Sequence, residues 1–309
     1  MKAGIKVGPR DWRTTLSQAK AECAEIWFRL DWQKKYFPLF QYLKKNKISF
    51  GLHFWAMVKG RYFPNLLCLD KNIAQESCRL IKQTIDIASQ WQAKYVVFHP
   101  ESYRLNLLDL DKKTFKTLNP QGTFNREKSF GQLLFYLKKI KKYGEEKRVL
   151  ALIETVPKYA PSNFKNLLEG RLKPQLSEGL ETEKFLKLAR LGFSLCLDIE
   201  HTMSQFITND RDKLFSYLME VAKKLKPAVK LMHITTKIPP FNGTDAHCGL
   251  LTKDFQRKGI VPTKKELIQV LSLFKEKNIW LIPEPYEKML ENHLALKKIV
   301  EKVEKQEEN

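Results

Sequence analysis

Short apolar runs rich in β-branched and aromatic residues recur along the chain, separated by longer stretches with helical periodicity. The runs are AGIKVG (3–8), EIWFRL (25–30), ISFGLHF (48–54), YVVFHP (95–100), VLALIETV (149–156), FSLCLDI (193–199), VKLMHI (229–234) and IWLIPEP (279–285). Each has the length and composition of a strand. Between them, apolar residues spaced for one helix face occupy 72–90, 128–144, 180–190, 210–225, 264–276 and 287–304. Strands alternating with helices imply right-handed βαβ crossovers and a parallel sheet. Eight such units in 309 residues match the count and length of an α/β (β/α)8 TIM barrel. A doubly wound sheet with a second domain is the competing arrangement. No linker or break in composition divides the chain, so one domain over 1–309 is expected. The longer connections, 101–127 after the fourth run and 157–179 after the fifth, are candidate substrate loops.

Composition narrows the partner. Lys and Arg outnumber Asp and Glu by 55 to 34, a formal net charge of +21. That excess favours a polyanion such as nucleic acid, or else reflects a lysine-rich solvated surface. The 43% apolar and 11% aromatic content excludes a disordered chain. Five cysteines with no C-x-x-C spacing (Cys23, Cys68, Cys78, Cys196, Cys248) read as reduced thiols, not a disulfide frame or zinc ribbon. No apolar run is long enough to cross a bilayer, and a cytoplasmic location without a membrane or protein partner is expected.

In a barrel of this kind, chemistry gathers at the C-terminal ends of the strands. The third run ends on His53, the fourth on His99, the fifth on Glu154 and the sixth on Asp198, with His201 three positions on. The seventh ends on His233 and the eighth on Glu284, while Asp245 and His247 follow in the loop after the seventh. Of the six histidines only His293 falls elsewhere, in the last helical pattern, where a surface position is expected. A single histidine at a strand end is commonly a hydrogen-bonded core residue, and a carboxylate there can cap the next helix. Glu154 and Glu284, however, follow apolar strands where a lone buried carboxylate is costly unless paired or metal-bound. Six consecutive strands delivering nitrogen or oxygen donors to one rim predict a metal cluster. Imidazole and carboxylate without thiolate point to Zn²⁺, with Mn²⁺ and Fe²⁺ fitting the same donors.

The motifs GLHF, FHPES, LIETV, CLDIEH, MHITTK, TDAH and LIPEP, in this order, resemble the endonuclease IV family of apurinic/apyrimidinic endonucleases, within the xylose-isomerase-like TIM barrels. The resemblance runs from the third strand to the eighth. It implies three zinc ions: one held by His53, His99 and Glu154; a second by the bridging Glu154 with Asp198, His233 and Glu284; a third by His201, Asp245 and His247. Departures fall in the segments that meet DNA. VGPRDWRTTL replaces the family's Gly-rich entry after the first strand, and Thr235-Thr236 stand where Asn-Asp is expected, although Lys237 fits. CGLLTKDF replaces a Gly-x-Gly after the second loop histidine, and this loop is also similar to that of UV-damage endonucleases.

The implied activity is hydrolysis of the phosphodiester 5′ to abasic or damaged sites in double-stranded DNA, with Glu154 orienting the nucleophile. The segment HFWAMVKGRYF (53–63) offers Phe54, Trp55, Tyr62 and Phe63 as a wedge into the duplex, interleaved with Lys59 and Arg61 for phosphate. Arg104, Lys112, Lys113 and Lys116 are further candidate phosphate contacts, and Lys237 joins the DNA-binding set through the resemblance. The competing enzyme is a sugar isomerase or epimerase on the same barrel, needing only Glu154, Asp198, His233 and Glu284 around one metal, with His201 assisting. A DNA-binding or structural barrel that has lost catalysis is the third reading.

Overall fold

The fourth apolar run forms a strand in which every residue is buried, Tyr95–Phe98, as expected where helices cover a parallel sheet on its outside and side chains fill its inside. The computed structural model describes residues 1–109, 112, 114–118, 125–161 and 173–305. In chain order the strands are β1 (Lys2–Ala3), β2 (Ile5–Val7), β3 (Cys23–Arg29), β4 (Ser49–Trp55), β5 (Tyr95–Phe98), β6 (Leu105–Asp109) and β7 (Thr114–Leu118). They continue with β8 (Leu150–Glu154), β9 (Ala160–Pro161), β10 (Pro174–Gln175), β11 (Leu195–Asp198), β12 (Val229–Ile234) and β13 (Trp280–Pro283). The main sheet runs β1-β13-β12-β11-β8-β5-β4-β3-β2. β1 and β2 are consecutive pieces of one segment, interrupted at Gly4, and pair in parallel with β13 and β3 respectively. The sheet therefore closes on itself, and the expected barrel is what the chain forms. The β6–β7 hairpin and the short β9–β10 pair are antiparallel additions within the two long connections.

Strand alternation sorts the side chains. Tyr95, Val97, Leu152, Cys196, Leu231 and Ile282 form a separate apolar cluster inside the barrel. Two residues beyond most of these, on the same inward face, come His99, Glu154, Asp198, His233 and Glu284. The intervening residues, such as Phe98, Ile153, Leu197 and Met232, face outward into the large core beneath the helices. Each strand thus ends with an apolar plug below and a polar group above. Gly51 makes room within this packing: a Cβ there would lie 2.2 Å from the Tyr95 ring. The hydroxyl of that tyrosine donates to Glu25 Oε2 at 3.0 Å.

The helices are α1 (Trp12–Ala19), α2 (Phe37–Lys45), α3 (Lys71–Trp91), α4 (Arg126–Lys147), α5 (Thr182–Arg190), α6 (Ile199–Ser204), α7 (Arg211–Leu225), α8 (Thr252–Phe255), α9 (Lys264–Ser272) and α10 (Met289–Lys305). Side-chain caps mark several starts: Asp70 for α3, Asn125 for α4, Asp210 for α7, and a Thr263/Glu266 capping box for α9. The periodic stretches found in the sequence correspond to α3, α4, α5, α7, α9 and α10, whereas α1, α2 and the one-turn elements were not picked out. His293, expected at the surface, is 1% exposed. Its Nδ1 is 2.8 Å from the Gly4 carbonyl, so it pins α10 against the break between β1 and β2. Among the described residues no helix is long and apolar enough to cross a membrane. All five cysteines are buried and free.

Candidate metal centre

The C-terminal ends of the strands bring the candidate donors into three touching groups. In the first, His53 Nε2 and His99 Nε2 lie 3.1 and 3.2 Å from the same oxygen, Glu154 Oε2. In the second, His233 Nδ1 lies 2.9 Å from Glu154 Oε1 and 2.8 Å from Glu284 Oε2, with Asp198 Oδ2 at 3.8 Å. In the third, His247 Nε2 lies 2.9 Å from Asp245 Oδ1 and 3.2 Å from His201 Nε2. Glu154 joins the first two groups through its two oxygens. Within each group the donor atoms lie within 4.8 Å of one another. Asp198 has two tasks: Oδ1 accepts from the His201 amide at 2.8 Å and caps α6, while Oδ2 faces the donors. Cys196 lies beside Glu154 and His233, but burial drives its thiol pKa up and away from the thiolate that a metal takes.

The buried groups fit a cation better than they fit one another. Glu154 Oε2, Asp198 Oδ2, Asp245 Oδ1, Glu284 Oε2 and His99 Nε2 are buried with no hydrogen bond of acceptable geometry. The short contacts to Glu154 Oε2 and Asp245 Oδ1 miss hydrogen-bond angles, as they would if each pair pointed at a common third atom. The ring nitrogens sharpen this. His201 Nδ1 lies 2.8 Å from the Thr155 carbonyl and His247 Nδ1 2.7 Å from the Glu284 carbonyl. A carbonyl only accepts, so both Nδ1 atoms carry the proton. In the neutral rings both Nε2 lone pairs then face each other and Asp245, a juxtaposition that requires a proton or a metal ion. Such outward Nδ1–H bonds are the usual support of a ligating histidine. These buried His, Glu and Asp groups can hold metal ions.

The charges respond accordingly. Burial alone would raise Glu154, but His233, His99 and His53 outweigh it and hold the carboxyl well below the ordinary range. Burial would lower His99 and His247, yet Glu154 and Glu101 lift the first to about 9, and Asp245 lifts the second to about 10. A histidine with a raised pKa stabilises fully below its unfolded value of about 6.5 and loses that contribution as pH climbs through the folded value. Chelator-stripped protein should therefore lose thermal stability between about pH 6.5 and 10. Metal-loaded protein, whose donors are neutral imidazoles, should hold its melting temperature over the same window. Calorimetry with and without chelator checks this; a gap that narrows as pH rises would contradict it.

The expected DNA contacts fare differently. Phe54 is 8% exposed and points outward beneath the helices, because it adjoins the inward-facing His53 on the same strand; it cannot act as a wedge. Lys237 is fully buried, and its ammonium is held by Glu200, Ser204 and the Thr244 carbonyl, so it is no surface phosphate contact. Trp55 is half-buried, with the Arg29 guanidinium 4.6 Å from its ring. Lys59 and Arg61 are exposed on a tight turn closed by the Val58–Tyr62 bridge. Arg104 is half-buried and 3.6 Å from Glu178. Lys112 lies 3.4 Å from Asp109, Lys116 is exposed, and Lys113 is outside the described residues. The aromatic surface instead involves Trp27 and Trp32, which line a cavity of about 860 Å³ with Arg10, Phe63 and Tyr286. Lys6, His99, His201, Asp245, His247 and Glu284 also line it, so five of the nine candidate donors open onto that space.

Besides Lys237, three buried charged residues among those described lie outside the set of strand ends. Glu25 and Lys6 face each other across the β2–β3 pairing, with Lys6 Nζ 3.2 Å from Glu25 Oε1. Glu25 Oε2 lies 3.1 Å from His233 Nε2, on the far side of that ring from Glu154 and Glu284. Lys6 also contacts Glu284 and His53 Nδ1. The available signal was a lone acid and a lone base on inward positions of adjacent apolar strands. The third, Glu200, sits between Asp198 and His201 and is fully buried.

A family model described as a xylose isomerase-like TIM barrel matches residues 14–286. The chain belongs to this family. Similar solved structures share the xylose isomerase-like fold over nearly their whole length. A D-tagatose 3-epimerase-like protein has a TM-score of 0.67 at 14% identity, covering 99% of each chain. An L-ribulose 3-epimerase has a TM-score of 0.66 at 10% identity, covering 98% of this chain and 96% of its own. Endonuclease IV from Thermus thermophilus has a TM-score of 0.59 at 13% identity, covering 100% of both. Identities this low speak for the fold alone, and epimerases and a nuclease stand side by side among the neighbours of this barrel. Comparison with curated protein sequences returned no match.

Proposed function

We propose that the chain is a metal-dependent endonuclease that hydrolyses the phosphodiester 5′ to an abasic or damaged nucleotide in duplex DNA. The observation that carries this reading is the third donor group, in which His201 and His247 turn their Nε2 atoms toward each other beside Asp245. Sugar isomerisation needs one metal, for which Glu154, Asp198, His233 and Glu284 suffice. A second and third group around the same cavity suit a phosphodiester, whose attacking and leaving oxygens both carry charge. His53, His99 and Glu154 would hold one ion; Glu154, Asp198, His233 and Glu284 a second; His201, Asp245 and His247 a third. Divalent ions bound there supply Lewis-acid polarisation of phosphate, water made acidic near neutral pH, and charge stabilisation at the leaving oxygen.

The chain's own residues do the rest. Glu154, kept ionised, stands between the first two groups and would orient the attacking water between them. Thr155 and Glu284 hold the Nδ1 protons of His201 and His247 through backbone carbonyls, which keeps both rings from turning. The tryptophans and Arg10 at the cavity wall offer stacking and phosphate contact to a nucleotide turned out of the duplex, a movement that costs least at an abasic site.

The test is incision of an abasic duplex by zinc-loaded protein, with a ketose epimerisation assay beside it. Incision without epimerisation is expected; the reverse would move the reading to an epimerase, which the four-donor group by itself also suits. Binding to duplex DNA should weaken steeply with salt, the logarithm of affinity falling by about 0.9 per phosphate neutralised for each tenfold rise. Fluorescence anisotropy reads the slope, and a flat response would assign the +21 charge to solvation only.

A further inference from the structure

The buried pair Glu200–Lys237 has no part in the reaction proposed above, yet it sits against the third donor group. Both side chains are fully buried. Lys237 Nζ donates to Glu200 Oε1, to Ser204 Oγ at 2.9 Å and to the Thr244 carbonyl, and Ser204 Oγ donates to Glu200 Oε1 at 2.9 Å. One oxygen of the carboxylate is thus held twice. The other, Oε2, is buried and has no hydrogen-bond partner. Glu200 offers one carboxylate oxygen within 4.8 Å of donor atoms of His201, Asp245 and His247, and Oε2 is the oxygen that Lys237 and Ser204 leave free for it. Two carboxylates brought together out of water repel unless a shared proton or a cation lies between them. The lysine cannot serve both, because its protons go to Glu200, Ser204 and Thr244.

We propose that Glu200 is a fourth protein ligand of the metal held by His201, Asp245 and His247, with Lys237 and Ser204 fixing the carboxylate by its other oxygen. The inference rests on the reading of those three residues as a metal site and adds to it. Two imidazoles and two carboxylates are a donor set for a divalent ion such as Zn²⁺, and four protein donors complete a tetrahedral shell. Between turnovers the ion in this group would be held by the protein alone, and expansion to a fifth ligand would admit the leaving oxygen during the reaction. It is also held more firmly than a three-ligand ion would be. Lys237 acts here as a positioning residue through Glu200, as outer partners of metal ligands do.

The experiment counts zinc per chain by native mass spectrometry during dialysis of DNA-free protein against graded chelator, for wild type and Glu200→Gln. Glutamine keeps an acceptor for Lys237 and can donate to Asp245, so folding should survive, with circular dichroism as control; it removes only the ligating oxygen. The expected result is that one ion leaves the variant at tenfold or more lower chelator concentration, while the others leave as in wild type. Equal retention of that ion would overturn the proposal and make Glu200 a structural acid. If Asp245→Ala, His247→Ala removes no ion either, the parent metal assignment fails as well, and the two failures are told apart. Should Glu200→Gln unfold, the cobalt-substituted wild type decides. A difference spectrum against Asp245→Ala, His247→Ala with intense four-coordinate bands supports the proposal, and weak six-coordinate bands overturn it.

Discussion

Glu154→Gln should lower single-turnover incision of an abasic duplex by about a thousandfold or more, the scale lost when a preorganised electrostatic partner of a transition state is removed. Both oxygens of this carboxylate are engaged: Oε2 by His53 and His99, Oε1 by His233. Glutamine keeps the shape but replaces one converging oxygen with an NH₂ that no metal accepts, and it removes the charge that the three imidazoles surround. Two donor groups are therefore damaged by one atom. The fold should persist, since the apolar plug beneath, Leu152 with Val97 and Cys196, is untouched. Rapid-quench kinetics on protein checked by circular dichroism measure the effect. A variant within tenfold of wild type would place the chemistry elsewhere.

Asp245→Ala with His247→Ala should cost about one bound ion per chain and reduce incision by two or more orders of magnitude, given that stabilising a leaving oxygen is worth several kcal/mol. These residues lie in the loop after β12 and belong to neither of the other groups. The other ions should remain. In an epimerase the same change would touch only loop residues, with metal content unaltered and a modest effect on substrate binding. Metal content and incision rate from one preparation separate the two cases.

The six candidate donors at strand ends (His53, His99, Glu154, Asp198, His233 and Glu284) were legible because strand periodicity and barrel polarity act together, whereas His201, Asp245 and His247 came through the resemblance. An apolar run says where a strand ends, and a parallel barrel says that all such ends share one rim. Glu25 and Lys6 were not legible by that rule. They lie inside their strands rather than at the ends, and only the register, with Lys6 opposite Glu25, reveals them as one pair beside His233. Phe54 was misread as a wedge because alternation was not carried one residue past His53. Lys237 was misread because its burial depends on Glu200 and Ser204, which lie on helix α6, away from its own loop. Of the helices missed, α2 is no shorter than α5 and α9 but opens on a proline, and α1 buries only Trp12, Leu16 and Ala19, so neither showed a clear stripe. Sequence thus carried the barrel and its rim well. It carried poorly whatever depended on contacts between distant elements.

The central claim is that this barrel holds a three-metal phosphodiesterase site rather than the single site of a sugar enzyme. The most direct measurement is the number of divalent ions per chain in purified, zinc-equilibrated protein, taken by inductively coupled plasma mass spectrometry on the preparation used for the incision assay. Three ions, with incision of the abasic duplex that disappears on chelation and returns with zinc, is the predicted result. One ion per chain, with ketose epimerisation and no incision, would contradict it.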